Sequence, residues 1–355
     1  TEDWGPEPEG TIEVTIWTYI GETMKNQYQE IIDAFNASQT KYHVVCESQG
    51  SQAEMNAKIS STDQSELPAM FHGAVENVAM YANEDYCVPL QEFIDLEKKG
   101  TWKELDDTWD AIRTAYQDKD GKQIGYPQGY SYPGIYYNKD MFREAGLDAE
   151  NPPATMEELY AAWDKLIQKD GNGNVTQYAQ AIGVKSTVAM MPVFMWAYGA
   201  DYIKDGKSVL DSDEATAAMT MIADAYAKGV SPVGLTGQEA DDLFAAGKAA
   251  IEFNGQWAAP GFRAAGIDLG IAEVPAGMDG RDRKTWGGDS IMCMSADSKV
   301  KEAAWDFMEY WNGKEAQKTW ALNVGFIPSR LDMADDEEIL TGNPDLAIFM
   351  KASTY

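Results

Sequence analysis

Residues 11–75 switch repeatedly between two hydrophobic periods, and this switching restricts the fold more than any other feature of the chain. TIEVTIW (11–17) places Ile12, Val14 and Ile16 at every second position, the spacing of a strand with one face inward. Met24, Tyr28, Ile31, Ile32 and Phe35 then recur at helical spacing. KYHVVCE (41–47) is strand-like again, AEMNAKISS (53–61) reads as a short amphipathic helix, and AMFHGAV (69–75) as a third strand. Strand, helix, strand, helix, strand in succession predicts an α/β architecture with a parallel sheet.

The 355 residues exceed what one ordinary core holds, so two domains are expected. The middle of the chain is helix-rich. Thr155 and Glu158 have capping-box spacing behind Pro152-Pro153, and the helix they predict carries Leu159, Trp163, Leu166 and Ile167. Ser212 caps a second helix with Ala215, Ala218, Met219, Ile222 and Tyr226 on one face and Gly229 at its end. IKDGKSVL (203–210) predicts a hairpin around Asp205-Gly206. A last helix is expected from about Val300 to Trp320, with Ala303, Ala304, Phe307, Met308 and Trp311 inward. AAIEFNGQW (249–257) is a strand with Ile251 and Phe253 on one face and Glu252 on the other, ended by Asn254-Gly255. Two segments, 121–142 and 267–277, are short strand-like pieces broken by Pro and Gly. They read as crossings between two lobes, which makes a hinge rather than a tether.

Charge and residue inventory then exclude functions. A formal net charge of −30 argues against nucleic acid and against anionic membrane surfaces as partners. No apolar run approaches the roughly 20 residues of a membrane helix. TEDWGPEPEG (1–10) reads as a polar tether. His43 and His72 are the two imidazoles, too few for multi-histidine metal sites and a poor basis for Ser-His-Asp or Cys-His chemistry. An enzyme here would have to work with carboxylates. Cys46, Cys87 and Cys293 lack metal or redox spacing; the inventory allows a Cys46–Cys87 bridge and favours three buried thiols. Asp170, Asn172 and Asn174 imitate the opening of a calcium loop, but Val175 and Ala181 stand where its glycine and glutamate belong. A plain turn is expected there, with a structural Ca²⁺ as the lesser alternative and no other metal or cofactor.

IEVTIWTY, GYPQGYSYPGIYYNKDMFREAGL, PPATMEEL, GKAAIEFNGQW, WGGDSIM, KEAAWDFMEYW and GFIPSR follow one another along nearly the whole chain. In this order they resemble the extracellular solute-binding proteins of carbohydrate ABC transporters, the maltose-binding-protein-like family. The resemblance implies a two-lobed periplasmic-binding-protein-like fold of type II, each lobe a mixed sheet flanked by helices, joined by three crossings. These would fall near Tyr126-Pro127, Leu269–Val274 and Val324–Pro328. Lobe one would comprise 11–125 and 275–322, and lobe two 126–274 and 323–355. Family members usually run a few dozen residues further, which implies closing helices beyond Tyr355. The resemblance also implies an extracellular protein, lipid-anchored to a Gram-positive cell or, alternatively, periplasmic. It would be a monomer that carries an oligosaccharide in an interlobe cleft to a membrane permease, without turnover.

Sugar chemistry then selects the candidate residues. A pyranose offers an apolar C–H face to an aromatic ring and a hydroxyl rim to amides and carboxylates. Trp257 follows Asn254 at a strand end, where open α/β sheets bind ligands, and the family's matching Trp contacts sugar. Tyr19 and Glu22 follow the first strand, Gln52 the second, and Glu76 with Asn77 the third, where relatives place sugar-binding groups. Tyr130 and Tyr132 flank Ser131 just past the first crossing, with hinge packing as the alternative. Trp196 sits among apolar residues, so core packing competes with a ligand role. Trp286, Gly288 and Asp289 combine an aromatic, a glycine that admits close backbone approach, and a carboxylate. Trp102, Trp109, Trp163, Trp305, Trp311 and Trp320 are expected to pack. Two rivals stay open: a glycoside hydrolase using paired carboxylates such as Glu76 and Asp289, and the same scaffold holding a non-sugar solute.

Overall fold

A computed structural model of the chain describes residues 10–20, 22–90, 93, 110–184, 190–288 and 290–350. The expected tether, Trp102, Trp109 and Asp289 lie outside the described residues. The strands, in chain order, are β1 (Ile12–Thr18), β2 (Tyr42–Ser48), β3 (Met70–Ala74), β4 (Tyr126–Pro127), β5 (Gly134–Asn138) and β6 (Gln168–Lys169). They continue with β7 (Val175–Ala181), β8 (Ile203–Lys204), β9 (Lys207–Ser208), β10 (Ala249–Asn254), β11 (Leu269–Glu273) and β12 (Ser290–Met294). No helix among the described residues is long and apolar enough to cross a membrane.

The chain divides into two compact units, 1–131 with 287–346, and 132–286 with 347–355. In the first, the sheet order is β2-β1-β3-β12-β4. β1 runs parallel to β2 and β3, as the alternating pattern predicts. β12 enters antiparallel between β3 and β4, so the sheet is mixed. Helix Glu22–Ser38 supplies the crossover between β1 and β2, and its Tyr28 and Phe35 pack on Trp311 and Phe307 with ring centroids 4.8 and 5.1 Å apart. The helix expected over 300–320 is two helices, Lys301–Trp311 and Lys314–Val324, separated at Asn312-Gly313. Trp305, Trp311 and Trp320 are buried, as expected of packing residues.

In the second unit the sheet order is β11-β5-β10-β7-β6. β10 is parallel to β7 and antiparallel to β5, which is antiparallel to β11. Helix Met156–Leu166 starts where predicted: Thr155 Oγ1 accepts from Glu158 N, and the Glu158 carboxylate accepts from Ala154 N at 2.7 Å. Helix Asp213–Lys228 is capped by Ser212 and ends at Gly229 with φ +89°. The β8–β9 hairpin turns at Asp205-Gly206, both with positive φ. Leu159, Trp163, Leu166, Phe194, Ile251 and Phe253 share one core.

The unit boundaries differ from the sequence-based ones in three places. Residues 323–346 belong with the first unit because Phe326 stacks on Trp320, Ile327 pairs with Tyr130, and Arg330 donates to the Asn312 carbonyl at 3.2 Å. Residues 126–131 join the same unit because β4 pairs with β12 and Gln128 donates to the Tyr28 hydroxyl at 2.9 Å. Residues 275–286 belong with the second, where Ala276 donates to the Ala154 carbonyl at 2.8 Å and Arg283 pairs with Glu273 at 3.1 Å. All three cysteines are free thiols; Cys87 and Cys293 are buried, whereas Cys46 is half-buried.

Candidate functional site

In the second unit, the C-terminal ends of the parallel strands β7 and β10 open into one cavity of about 240 Å³. Gln180 and Ile182 line it from β7 and its exit, and Glu252 and Asn254 from β10. Gln238 and Asp241 come from helix Gly237–Ala245, Met190 and Phe194 from the start of helix Met191–Ala197, and Trp257 from the turn after β10. Ligands in open α/β sheets collect beyond carboxyl strand ends because strand and helix termini diverge there.

The local sequence builds this corner. Asn254 ends β10 and folds its amide back: Oδ1 accepts from Gly255 N at 2.8 Å, while Nδ2 donates to Asp241 at 2.8 Å and to Glu252 at 3.2 Å. Gly255 then leaves room for the Trp257 indole, which lies directly against it; a Cβ on Gly255 would fall within that ring. This close approach explains the order Asn-Gly-Gln-Trp. Trp257 is half-buried, an indole supported on one side at the cavity wall.

Glu252 and Asp241 are groups that the strand pattern missed. Alternation puts Glu252 on the face opposite Ile251 and Phe253, yet that face is buried too, because helix Gly237–Ala245 covers it: Ala240 packs on Ala181, the β7 residue paired with Glu252, and Asp241 lies against Glu252 itself. The signal was a lone charge inside an otherwise apolar strand. Burial, and then the adjacent Asp241 carboxyl, push Glu252 well above the usual carboxylate range. Burial also raises Asp241. Gln180, 1% exposed, accepts from Trp163 Nε1 at 2.9 Å.

The first unit collects a second set of polar groups. Gln52 Nε2 donates to Glu76 Oε1 and to Asn77 Oδ1, each at 2.9 Å. Asn56 Nδ2 donates to the same Asn77 oxygen at 3.0 Å, and Tyr81 donates to Asn56 Oδ1 at 2.9 Å. Ser51 forms a full capping box with Glu54, which places Gln52 at the helix start facing the end of β3. Three residues chosen from sequence, Gln52, Glu76 and Asn77, therefore meet. Tyr19, just past β1, stacks on His72 with centroids 4.6 Å apart. His72 is buried, bonds Thr18 Oγ1 at 2.9 Å, and is pushed down to about 3 by burial.

The remaining candidates separate from these clusters. Tyr130 and Tyr132 are buried at 4% and 6% exposure, which matches the packing alternative. Ser131 between them exchanges backbone bonds with Gly288, whose φ of +151° and contact with Val75 both require glycine. Trp196 is half-buried on helix Met191–Ala197 and does not line the cavity. Trp286 is half-buried with its indole N–H enclosed. Glu22 begins its helix, and its side chain lies outside the description, as does Asp289. The Asp170–Asn174 segment is a self-closed turn: Asp170 Oδ1 accepts from the backbone of Asn172 and Asn174, and Oδ2 from the Asn174 amide at 2.9 Å. Its oxygens are occupied by N–H donors, and no cluster of metal-binding groups occurs among the described residues.

Comparison with known proteins agrees with this architecture. The family profile for the bacterial extracellular solute-binding protein matches residues 30–347. A binding protein of Brucella abortus (strain 2308) is 31% identical over 236 residues, 65% of this chain and 56% of its own length. The chain thus spans a little over half the length of the first curated relatives it matches. The sn-glycerol-3-phosphate-binding periplasmic protein of Rhizobium meliloti (strain 1021) is 26% identical over 337 residues, 92% of this chain and 76% of that one. Among solved structures, the maltose/maltodextrin-binding domain from Bdellovibrio bacteriovorus bound to maltotriose aligns with a TM-score of 0.82 at 20% identity, covering 97% of this chain and 87% of that one. That likeness establishes the periplasmic-binding-protein-like fold, and the profile match over most of the sequence settles descent: the chain belongs to the bacterial extracellular solute-binding protein family.

Proposed function

We propose that this chain is the substrate-binding component of an ABC transporter, which captures an oligosaccharide and hands it unaltered to a membrane permease. One observation carries the reading: the Trp257 indole, braced on Gly255, forms a wall of a strand-end cavity whose polar groups are amides and carboxyls. Such a wall takes the C–H face of a sugar ring, and the amides and carboxyls take its hydroxyls. Each stacked ring contributes on the order of 1–2 kcal/mol at about 25 cal/mol per Å². The similarly folded Bdellovibrio domain holds maltotriose, which supports a saccharide; the Rhizobium relative is named for sn-glycerol 3-phosphate, which keeps a small phosphate ester as the second reading.

Thermal shift and intrinsic tryptophan fluorescence across maltotriose, other neutral oligosaccharides, glycerol, glycerol 3-phosphate and amino acids test it. Stabilisation by neutral saccharides is the expected result. Stabilisation by another class alone would defeat the oligosaccharide reading, and sustained release of reducing ends from an oligosaccharide would restore the hydrolase. The family places the chain outside the cytoplasmic membrane. Its named relatives come from Gram-negative Brucella and Rhizobium, which favours the periplasm over a lipid anchor on a Gram-positive cell. Fatty-acid labelling in the source organism decides between them.

A further inference from the structure

β2 is an edge strand of the first unit's sheet, whose order is β2-β1-β3-β12-β4. Its parallel register with β1 runs from Ile12↔Tyr42 to Thr18↔Ser48; Ile12 N donates to the Lys41 carbonyl at 2.9 Å and Gln49 N to the Thr18 carbonyl at 2.8 Å. In a parallel pair, alternate residues of a strand bond to the neighbour. The odd-numbered residues of β2 therefore face β1, while Tyr42, Val44, Cys46 and Ser48 turn their backbone N–H and C=O away from it. Such an outward row is a template on which another strand can add. The segment invites it, since Tyr42, Val44 and Val45 favour strands and no proline or glycine interrupts 42–48.

Two side chains occupy half of that row. Asn36, in helix Glu22–Ser38, donates Nδ2 to the Val44 carbonyl at 2.9 Å, and its Oδ1 accepts from Val44 N at 2.8 Å. Gln39, one residue past the helix, donates Nε2 to the Tyr42 carbonyl at 2.8 Å, and its Oε1 accepts from Tyr42 N at 2.7 Å. A carboxamide carries a donor and an acceptor in one plane, as a peptide group does, so a single side chain satisfies both backbone groups of one residue. Among the described residues no side chain does this for Cys46 or Ser48, and the chain turns at Gly50 with φ +83°. The open part of the edge is thus shorter than an ordinary strand.

We infer that Asn36 and Gln39 guard this edge: their amides stand in for a neighbouring strand on β2 and keep a second copy of this chain from adding to the first sheet. The inference goes beyond the transport role proposed above and does not depend on the ligand. The two amides are not equivalent. Val44 adjoins Cys46 and Ser48 in the outward row, so losing Asn36 opens a continuous run over residues 44–48, long enough to seat a strand. Losing Gln39 opens Tyr42 alone, which the covered Val44 separates from the rest. Support of the local backbone ranks them the other way, because Gln39 Oε1 also accepts from Lys41 N at 2.8 Å.

The test combines sedimentation velocity with hydrogen exchange resolved by residue, on the full chain over a range of protein concentrations. In the wild type the Tyr42 and Val44 amides should exchange slowly, with no association as concentration rises. In N36A the Val44 amide should exchange about tenfold faster when dilute, then regain protection as the concentration rises and the chain self-associates. Q39A should free the Tyr42 amide and stay unassociated. Alanine suits the helix at position 36, and circular dichroism checks that the fold is kept; if N36A does not fold, N36S carries the same comparison. A folded variant at position 36 that loses Val44 protection yet never associates overturns the guard. So does association that leaves Val44 unprotected, or a wild type that already pairs through β2. Association of Q39A equal to that of N36A overturns it as well, since the two amides would then serve only the local backbone.

Discussion

Trp163 donates its indole N–H to Gln180 Oε1 at 2.9 Å, with both side chains buried. The bond ties helix Met156–Leu166 to β7 and fixes which end of the Gln180 amide is committed. Its oxygen is taken by the core, which leaves the amide nitrogen as the group to serve the cavity that Gln180 lines. Gln180→Leu would strand the buried indole N–H. It should destabilise the second unit by about 1–3 kcal/mol, read as a lower midpoint in urea unfolding followed by tryptophan emission.

Trp257→Ala removes the stacking wall and touches little of the hydrophobic core. Saccharide affinity should fall at least tenfold, the equivalent of about 1.4 kcal/mol, with unfolding still cooperative. Calorimetric titration against the best ligand of the panel checks it; unchanged affinity would remove Trp257 from the site.

Gly255→Ala probes the same wall from behind. The backbone at Gly255 has φ −97° and ψ 176°, open to any residue, so the added methyl acts only by striking the indole. The expected outcome is a binding loss comparable to that of Trp257→Ala, together with a shifted tryptophan emission maximum. Loss of fold without those changes would mean the indole serves the core.

His72 should make the first unit sensitive to acid. Burial pushes its titration down to about 3, against about 6.5 in an unfolded chain. Between those limits the unfolded chain binds a proton that the folded one refuses. The stability contribution is therefore complete above about pH 6.5 and drains as pH falls toward about 3, by on the order of a few kcal/mol in all. Denaturant midpoints measured from pH 7 to pH 4 should fall more steeply for the wild type than for His72→Gln. Equal slopes would place the acid sensitivity elsewhere.

The strands and helices that carry strong periodicity are legible in the sequence itself: β1 to β3, the Thr155 and Ser212 caps, and the turn at Asp205-Gly206. What was lost was information that lies outside a window of sequence. One helix became two at Asn312-Gly313, since the run of apolar residues continues smoothly across the break. Residues 323–346 went to the wrong unit because Phe326 and Arg330 find their partners through stacking and a carbonyl bond, neither of which leaves a pattern. At the site, the chemical expectation of an aromatic wall singled out Trp257 and Asn254. Glu252 and Asp241 went unseen, for alternation says which face a residue takes and not that a helix will later cover it.

The placement of β12 sets an order of events during synthesis. Its position between β3 and β4 means that the first sheet has a gap from residue 74 until residues 290–294 are made. The second unit's β5, β7, β10 and β11 all emerge within that interval. The first sheet of the chain thus stays incomplete until a strand more than two hundred residues later is made, held back by contacts of long sequence separation that close slowly. A polypeptide that must be threaded through a membrane before it sets benefits from such a delay.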